Sequence, residues 1–202
     1  MQRDLTASIF DAPDAIARTP AGASALLIAG ASALFALSAQ VAIPLPHSPV
    51  PITLQPLAIL LIGAALGPSR SAIAACLYLL EGLAGLPVFA LGHSGPAALI
   101  GPTAGYLYAY PAASWIAGWC ATRHVGSSRL RASVVMVAAI VTLYVGGWGW
   151  LAGAWGMGSR LAFFAGIVPF FAADLVKVAI AVLLLPTASR LVARFTTNSG
   201  KG

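Results

Sequence analysis

The feature that most constrains this chain is a series of apolar stretches separated by prolines, glycines and short basic segments. They run at about 22–42, 53–66, 71–86, 102–120, 134–151 and 161–185. None shows the apolar–polar alternation of a transmembrane β-strand. In hydrocarbon every backbone N–H and C=O must be satisfied within the protein, so long unbroken apolar runs are expected to be helices. Composition agrees: 59% of the 202 residues are hydrophobic and 8% are charged, where a soluble domain carries roughly 25%. The reading is an all-α integral membrane protein with six transmembrane helices. A polar N-terminal segment, 1–21, precedes the membrane domain, 22–190, and a tail, 191–202. No apolar core follows Arg3 directly, so the first segment reads as a short interfacial helix rather than a cleaved signal peptide.

The breaks carry information. The second and third stretches hold about 14–16 residues, roughly 21–24 Å of helix, which is short of the ~30 Å hydrocarbon core. Such helices are tolerated where neighbouring loops dip in and line a cavity. Residues 43–52, Ile-Pro-Leu-Pro-His-Ser-Pro-Val-Pro-Ile, hold four prolines. They exclude regular helix and predict a stiff extended loop over a cavity, with His47 solvated. Residues 87–105 are punctuated by glycine and proline yet remain apolar, as expected of a loop packed into the protein or over a ligand. Gly67-Pro68, Pro87 and Pro186 are read as helix stops.

Six spans place both termini on one side. That side holds Arg3, Arg18, Arg70, Arg123, Arg129, Arg131, Arg190, Arg194 and Lys201, against Arg160 on the other. Cytoplasmic segments concentrate Lys and Arg, so both termini are expected in the cytoplasm. The proline loop, the 87–100 loop and the 152–160 loop then face outside. The net charge of +6 comes from these short segments and tails, so it points to a membrane orientation and not to nucleic acid.

Chemistry is concentrated in Pro169-Phe-Phe-Ala-Ala-Asp174-Leu-Val-Lys177. An acid and a base one helical turn apart share one face. Charges inside hydrocarbon are costly and usually face a functional interior. The plainer alternative is a self-neutralised staple between helices. An aspartate accepts N–H donors and a lysine donates to a carbonyl or carboxylate, so the pair suits a small ligand with both kinds of group. Phe89 and Tyr106 are candidate apolar walls, and Tyr106, Tyr108 and Tyr110 as a set fit an interfacial belt or in part a pocket wall. Gln55 opens the second span, and Glu81 ends the third either as a pocket group or at the interface. Trp148 and Trp150 read as interfacial anchors, and Cys76 and Cys120 as packing residues of apolar spans.

Catalytic readings fail on residue supply. Gly92-His-Ser-Gly95 matches the GxSG string of rhomboid proteases, but the only later histidine, His124, falls in a cytoplasmic loop. An intramembrane aspartyl protease needs two aspartates, and only Asp174 lies in a span. The chain has no GxxxxGK[ST] phosphate loop and no Cys/His cluster for a metal. What remains is a binding protein or carrier, neither an enzyme nor a cofactor protein. The alternatives are an ion- or proton-coupled carrier using Asp174, and a structural subunit stapled by the pair.

Val50-Pro-Ile-Thr-Leu-Gln-Pro-Leu, Gly67-Pro68, Tyr78-Leu-Leu-Glu-Gly82, Gly85-Leu-Pro-Val-Phe89, Gly101-Pro-Thr-Ala-Gly-Tyr106 and Asp174-Leu-Val-Lys177 occur in that order. Together they resemble the BioY family, the biotin-specific S components of energy-coupling factor (ECF) transporters, over about residues 22–190. The resemblance implies a six-helix S-component fold in the cytoplasmic (inner) membrane. It implies biotin capture from outside, with a transmembrane T component and two ATPase subunits driving uptake. It implies that Asp174 and Lys177 contact biotin, with Thr103 and Tyr106 near the pocket. It also implies that Ala25, Ala29 and Ala33, small residues at four-residue spacing, face the T component. Ala104 departs from the family, which often has glycine there.

Overall fold

The computed structural model describes residues 21–121, 125 and 128–199. The expected N-terminal interfacial helix, Arg3, Arg18, Arg123, His124 and Lys201 lie outside the described residues. Helix α1 spans Ala21–Gln40 and is followed by strands β1 (Ala42–Leu45) and β2 (Ser48–Thr53). Then come α2 (Gln55–Leu66), α3 (Pro68–Leu83), a 3-10 turn at Ala90–Gly92, α4 (Gly95–Ile100) and α5 (Ala104–Gly118). The chain continues through α6 (Arg129–Ala152), α7 (Ser159–Gly166) and α8 (Val168–Ser199). Among the described residues three helical segments are long and apolar enough to cross a membrane: Ala21–Gln40, Arg129–Ala152 and Val168–Thr187. Helices α2, α3 and α5 hold 12, 16 and 15 residues, so the shortness expected of the second and third stretches is observed.

The structure corrects three expectations. The proline segment is extended, as expected, but it is a paired antiparallel hairpin rather than a loop, with Ala42 opposite Thr53, Ile43 opposite Ile52 and Leu45 opposite Ser48. Its register shifts between Ile43 and Leu45, where Pro44 has no N–H to give the ladder. Proline is tolerated because a two-stranded ribbon has an edge on each strand. The apolar loop after residue 87 contains the short helix α4, opened by Pro96 in its first turn. Pro186 does not stop the last helix, which carries it internally.

The last apolar stretch is also two helices, because Pro169 cannot donate to the carbonyl of Ala165. The backbone bends at Ile167, and the N–H of Phe170 turns to Ile167 instead of Gly166. Two distant side chains satisfy the freed carbonyls. The Ser48 hydroxyl of the hairpin donates to Ala165 O at 2.8 Å, and the Tyr106 hydroxyl of α5 donates to Gly166 O. A break forced by one residue therefore fixes both the hairpin and α5.

The main core runs between α1, α2, α3, α5, α6 and α8, with Phe35, Ile59, Leu60, Tyr78 and Met136 fully buried. A smaller cluster of Val50, Leu151, Ala162 and Phe170 lies under the hairpin. Large apolar side chains such as Leu26, Leu80, Val145 and Leu183 point outward, as suits helices whose outer surface meets lipid. Helices α5 and α6 approach closely at Gly105 and Gly146. A Cβ on Gly146 would lie 2.7 Å from both Ala109 Cβ and Gly105 O. Small residues that let backbones meet are the usual basis of helix association in lipid.

Gly146→Ala should therefore lower stability by about 1–3 kcal/mol, the typical cost of overpacking. Gly149→Ala on the same helix meets nothing within 4 Å and should be close to neutral. Thermal unfolding of the two detergent-solubilised variants checks the contrast.

Candidate functional site

The polar groups of the site come from α8, α6 and the start of α2. Asp174 and Lys177 lie within the first three turns of α8 and are 4% and 7% exposed. The Lys177 ammonium donates to Asp174 Oδ1 at 2.7 Å. The second carboxylate oxygen, Oδ2, accepts from the Tyr144 hydroxyl of α6 at 2.8 Å. Both oxygens are thus engaged, and the pair is neutral as a unit. A buried charge without such a partner would be strongly unfavourable. An ammonium has three donors, and the bond to Asp174 uses one.

These groups open onto a cavity of about 320 Å³, within the range of about 300–1,000 Å³ typical of small-molecule sites. The hairpin supplies Pro49, Val50 and Pro51 to its lining, and Thr53 follows. The 84–94 loop supplies Phe89, Ala90, Leu91, His93 and Ser94, with Ala97 and Ala98 from α4. The walls are completed by Gln55, Thr103, Tyr106, Leu107, Tyr110, Leu143, Tyr144 and Phe170. The lining is mainly apolar, with the Asp174–Lys177–Tyr144 group on α8 and α6 and Gln55 on α2. Such a cavity suits a compact ligand with N–H donors, oxygen acceptors and an apolar body. Among the described residues no cluster of three or more His, Cys, Asp or Glu could hold a metal ion.

Of the residues expected from sequence, Asp174, Lys177, Thr103, Tyr106, Phe89 and Gln55 all line this cavity. Glu81 is not among its lining residues. It lies between α3 and α1, where its Oε2 accepts from Ser32 Oγ at 2.6 Å. No residue of α3 lines the cavity, and the Glu81 carboxylate finds its partner in the helix interface instead. Ala25, Ala29 and Ala33 all lie exposed along α1. The tyrosines of α5 divide: Tyr106 and Tyr110 line the cavity, while Tyr108 is exposed and donates to Leu99 O at 2.6 Å. Trp150 is half-buried and ties α6 to the turn before α5, donating to Gly101 O at 2.9 Å. Cys120 is buried and Cys76 is exposed.

Sequence reasoning missed Tyr144 and Phe170, and it left Tyr110 open between an interfacial belt and a pocket wall. Phe170 sits four residues before Asp174 on the same helical face, a spacing that could have flagged it. Tyr144 has a weaker signal, a lone hydroxyl-bearing aromatic well inside the fifth stretch.

The chain matches the model of the BioY family over residues 14–194. It is 37% identical over 158 residues to a protein of Pyrococcus horikoshii named "Probable biotin transporter BioY". That alignment covers 78% of this chain and 91% of the relative. It is also 37% identical over 161 residues to "Biotin transporter BioY" of Rhizobium etli, covering 76% and 86% of the two chains. Its fold is similar to a crystal structure of the S component for biotin from an ECF-type ABC transporter, with a TM-score of 0.74. That similarity covers 81% of this chain and 89% of the other at 24% identity.

The pairing itself can be tested without any ligand. Lys177→Met leaves a buried carboxylate without its counter-ion and should cost about 3–5 kcal/mol. The double variant Asp174→Leu/Lys177→Met leaves no orphan charge and should regain most of that loss. Unfolding midpoints of the three proteins measure both effects.

Proposed function

Since the chain belongs to the BioY family, we propose that it captures biotin and serves as the substrate-specific subunit of an ECF-type transporter. It is a transport protein rather than an enzyme. The observation that carries the reading is the neutral Asp174–Lys177–Tyr144 group opening onto an apolar cavity. Biotin presents the matching chemistry: a ureido ring with two N–H groups and a carbonyl, a carboxylate, and a thioether-bearing apolar body. Asp174 accepts from a ureido N–H. Lys177 donates to an oxygen with the hydrogens not used on Asp174. Gln55 and Thr103 supply further polar contacts, and Phe89 and Tyr106 pack the apolar body.

The same reading gives the assembly and its orientation. The chain crosses the cytoplasmic membrane six times, as a domain of residues 22–190 with short polar segments at both ends. Helices α2, α3 and α5 are the short spans. The cavity faces outside, with both termini in the cytoplasm. The charge pattern supports this: Arg70, Arg129 and Arg131 stand at helix starts away from the cavity, while Arg160 is on the α7 side. A T component packs on the exposed small-residue face of α1, at Ala25, Ala29 and Ala33. Two ATPase subunits supply the energy, because the chain holds no phosphate loop of its own.

Calorimetric titration of biotin into the purified protein tests this. Wild type should bind one biotin per chain. Asp174→Asn keeps the shape but loses the charge-assisted contact, and should weaken binding by about 1.5–3 kcal/mol, or roughly 10- to 150-fold. Absence of binding by folded wild type would overturn the biotin assignment, and tight binding indifferent to Asp174→Asn would overturn the site.

A further inference from the structure

The Tyr78-Leu-Leu-Glu-Gly82 segment of α3 supplies no lining residue to the cavity, yet it grips the loop that covers it. Tyr78 is fully buried. Its hydroxyl accepts from the cavity residue Gln55, Nε2 to Oη at 2.8 Å, and donates to the loop carbonyl of Val88 at 3.1 Å. One hydroxyl thus joins the cavity wall to the backbone of its cover. Its ring packs edge-on against Phe89 at 5.4 Å and stacks on Tyr110 at 6.2 Å, and both of these line the cavity. Gly82 makes room for the cover, since a Cβ there would fall on the Phe89 ring.

Helix α1 holds the same loop from the other side. Gln40 Nε2 lies 3.4, 3.4 and 3.3 Å from the carbonyls of Pro87, Val88 and Phe89. The loop's own geometry needs such support. Leu91 sits at φ +58°, a left-handed conformation that costs energy in a residue with a branched side chain. Gly85 and Gly92, also at positive φ, give the segment turns that can rearrange.

We propose that the Tyr78 hydroxyl latches the 84–94 loop over the cavity and so sets how long biotin stays bound. The proposal rests on the cavity being the biotin site. Tyr78 is a positioning residue: it acts through Val88, Phe89 and Gln55 and touches no ligand. An opened latch frees the exit, so dissociation quickens while the encounter with an open cavity does not slow.

The test compares wild type, Tyr78→Phe and Gln40→Ala as full-length detergent-solubilised proteins. Tyr78→Phe keeps the ring packing. Gln40→Ala reaches the same carbonyls without touching Gln55. Release of labelled biotin into excess unlabelled biotin should be about tenfold faster in Tyr78→Phe, the size expected for one buried hydrogen bond. Gln40→Ala should shift release in the same direction, with association within about twofold of wild type. Amide exchange without biotin should quicken at Val88, Phe89, Gly92 and His93, whose N–H groups are bonded within this loop. Unchanged release and exchange in Tyr78→Phe would overturn the latch, as would slowed association with unchanged release. Failure of wild type to bind biotin would instead overturn the substrate reading, and the exchange of the loop amides alone would then decide the latch.

Discussion

The ion pair between Asp174 and Lys177 is the constraint to which the rest of the structure answers. Two charges within a helix of apolar residues must be matched to each other and screened from hydrocarbon. The match comes from their one-turn spacing on α8, and Tyr144 of α6 engages the oxygen that Lys177 leaves. The screening comes from α2, α5, the hairpin and the covering loop, which bury both groups while keeping a cavity before them. A pair kept only to join helices would need no cavity. Here the polar cluster fronts a cavity, with ammonium hydrogens of Lys177 not used on Asp174.

The architecture divides into a fixed part and a more adjustable part. Helices α5 and α6 touch backbone to backbone at Gly105 and Gly146, and Gly147 gives up its side-chain space to the Tyr106 ring. Contacts of this kind have no slack, because a packed interface of small residues tolerates little displacement. The other flank, α1 with α3 and the 84–94 loop, adds to its ring packing directional bonds donated by Gln40, Tyr78 and Ser32, the last to Glu81. Hydrogen bonds of that kind can be exchanged for others at modest net cost.

Much of this was legible in the sequence for physical reasons. The ion pair stands out because few charges occur in the apolar stretches, and helical spacing alone places the two on one face. The shortness of the second and third stretches could be read from length, and the breaks between helices from proline and glycine. Less visible was structure that depends on partners far along the chain. Four prolines exclude a helix, yet only the pairing of residue 42 with residue 53 makes the segment a hairpin. Pro186 resembles a stop, but α8 runs through it and on to Ser199. Glu81 looked like a pocket group because an intramembrane acid demands a partner, and sequence could not reveal that Ser32 provides one. Tyr144 is missing from a reading that attends to charges, since its role appears only when Asp174 stands opposite.

The bend at Pro169 has a consequence for how the cavity is walled. Ala165 is buried, so its carbonyl loses its side-chain donor if Ser48 leaves it. Swinging the hairpin away from the α7–α8 elbow would leave that buried acceptor unsatisfied. The 84–94 loop is held by hydrogen bonds of its own, from Gln40 and Tyr78. The one amide hydrogen that Pro169 lacks thus draws together a strand and a helix elbow 117 residues apart along the chain into one wall of the cavity.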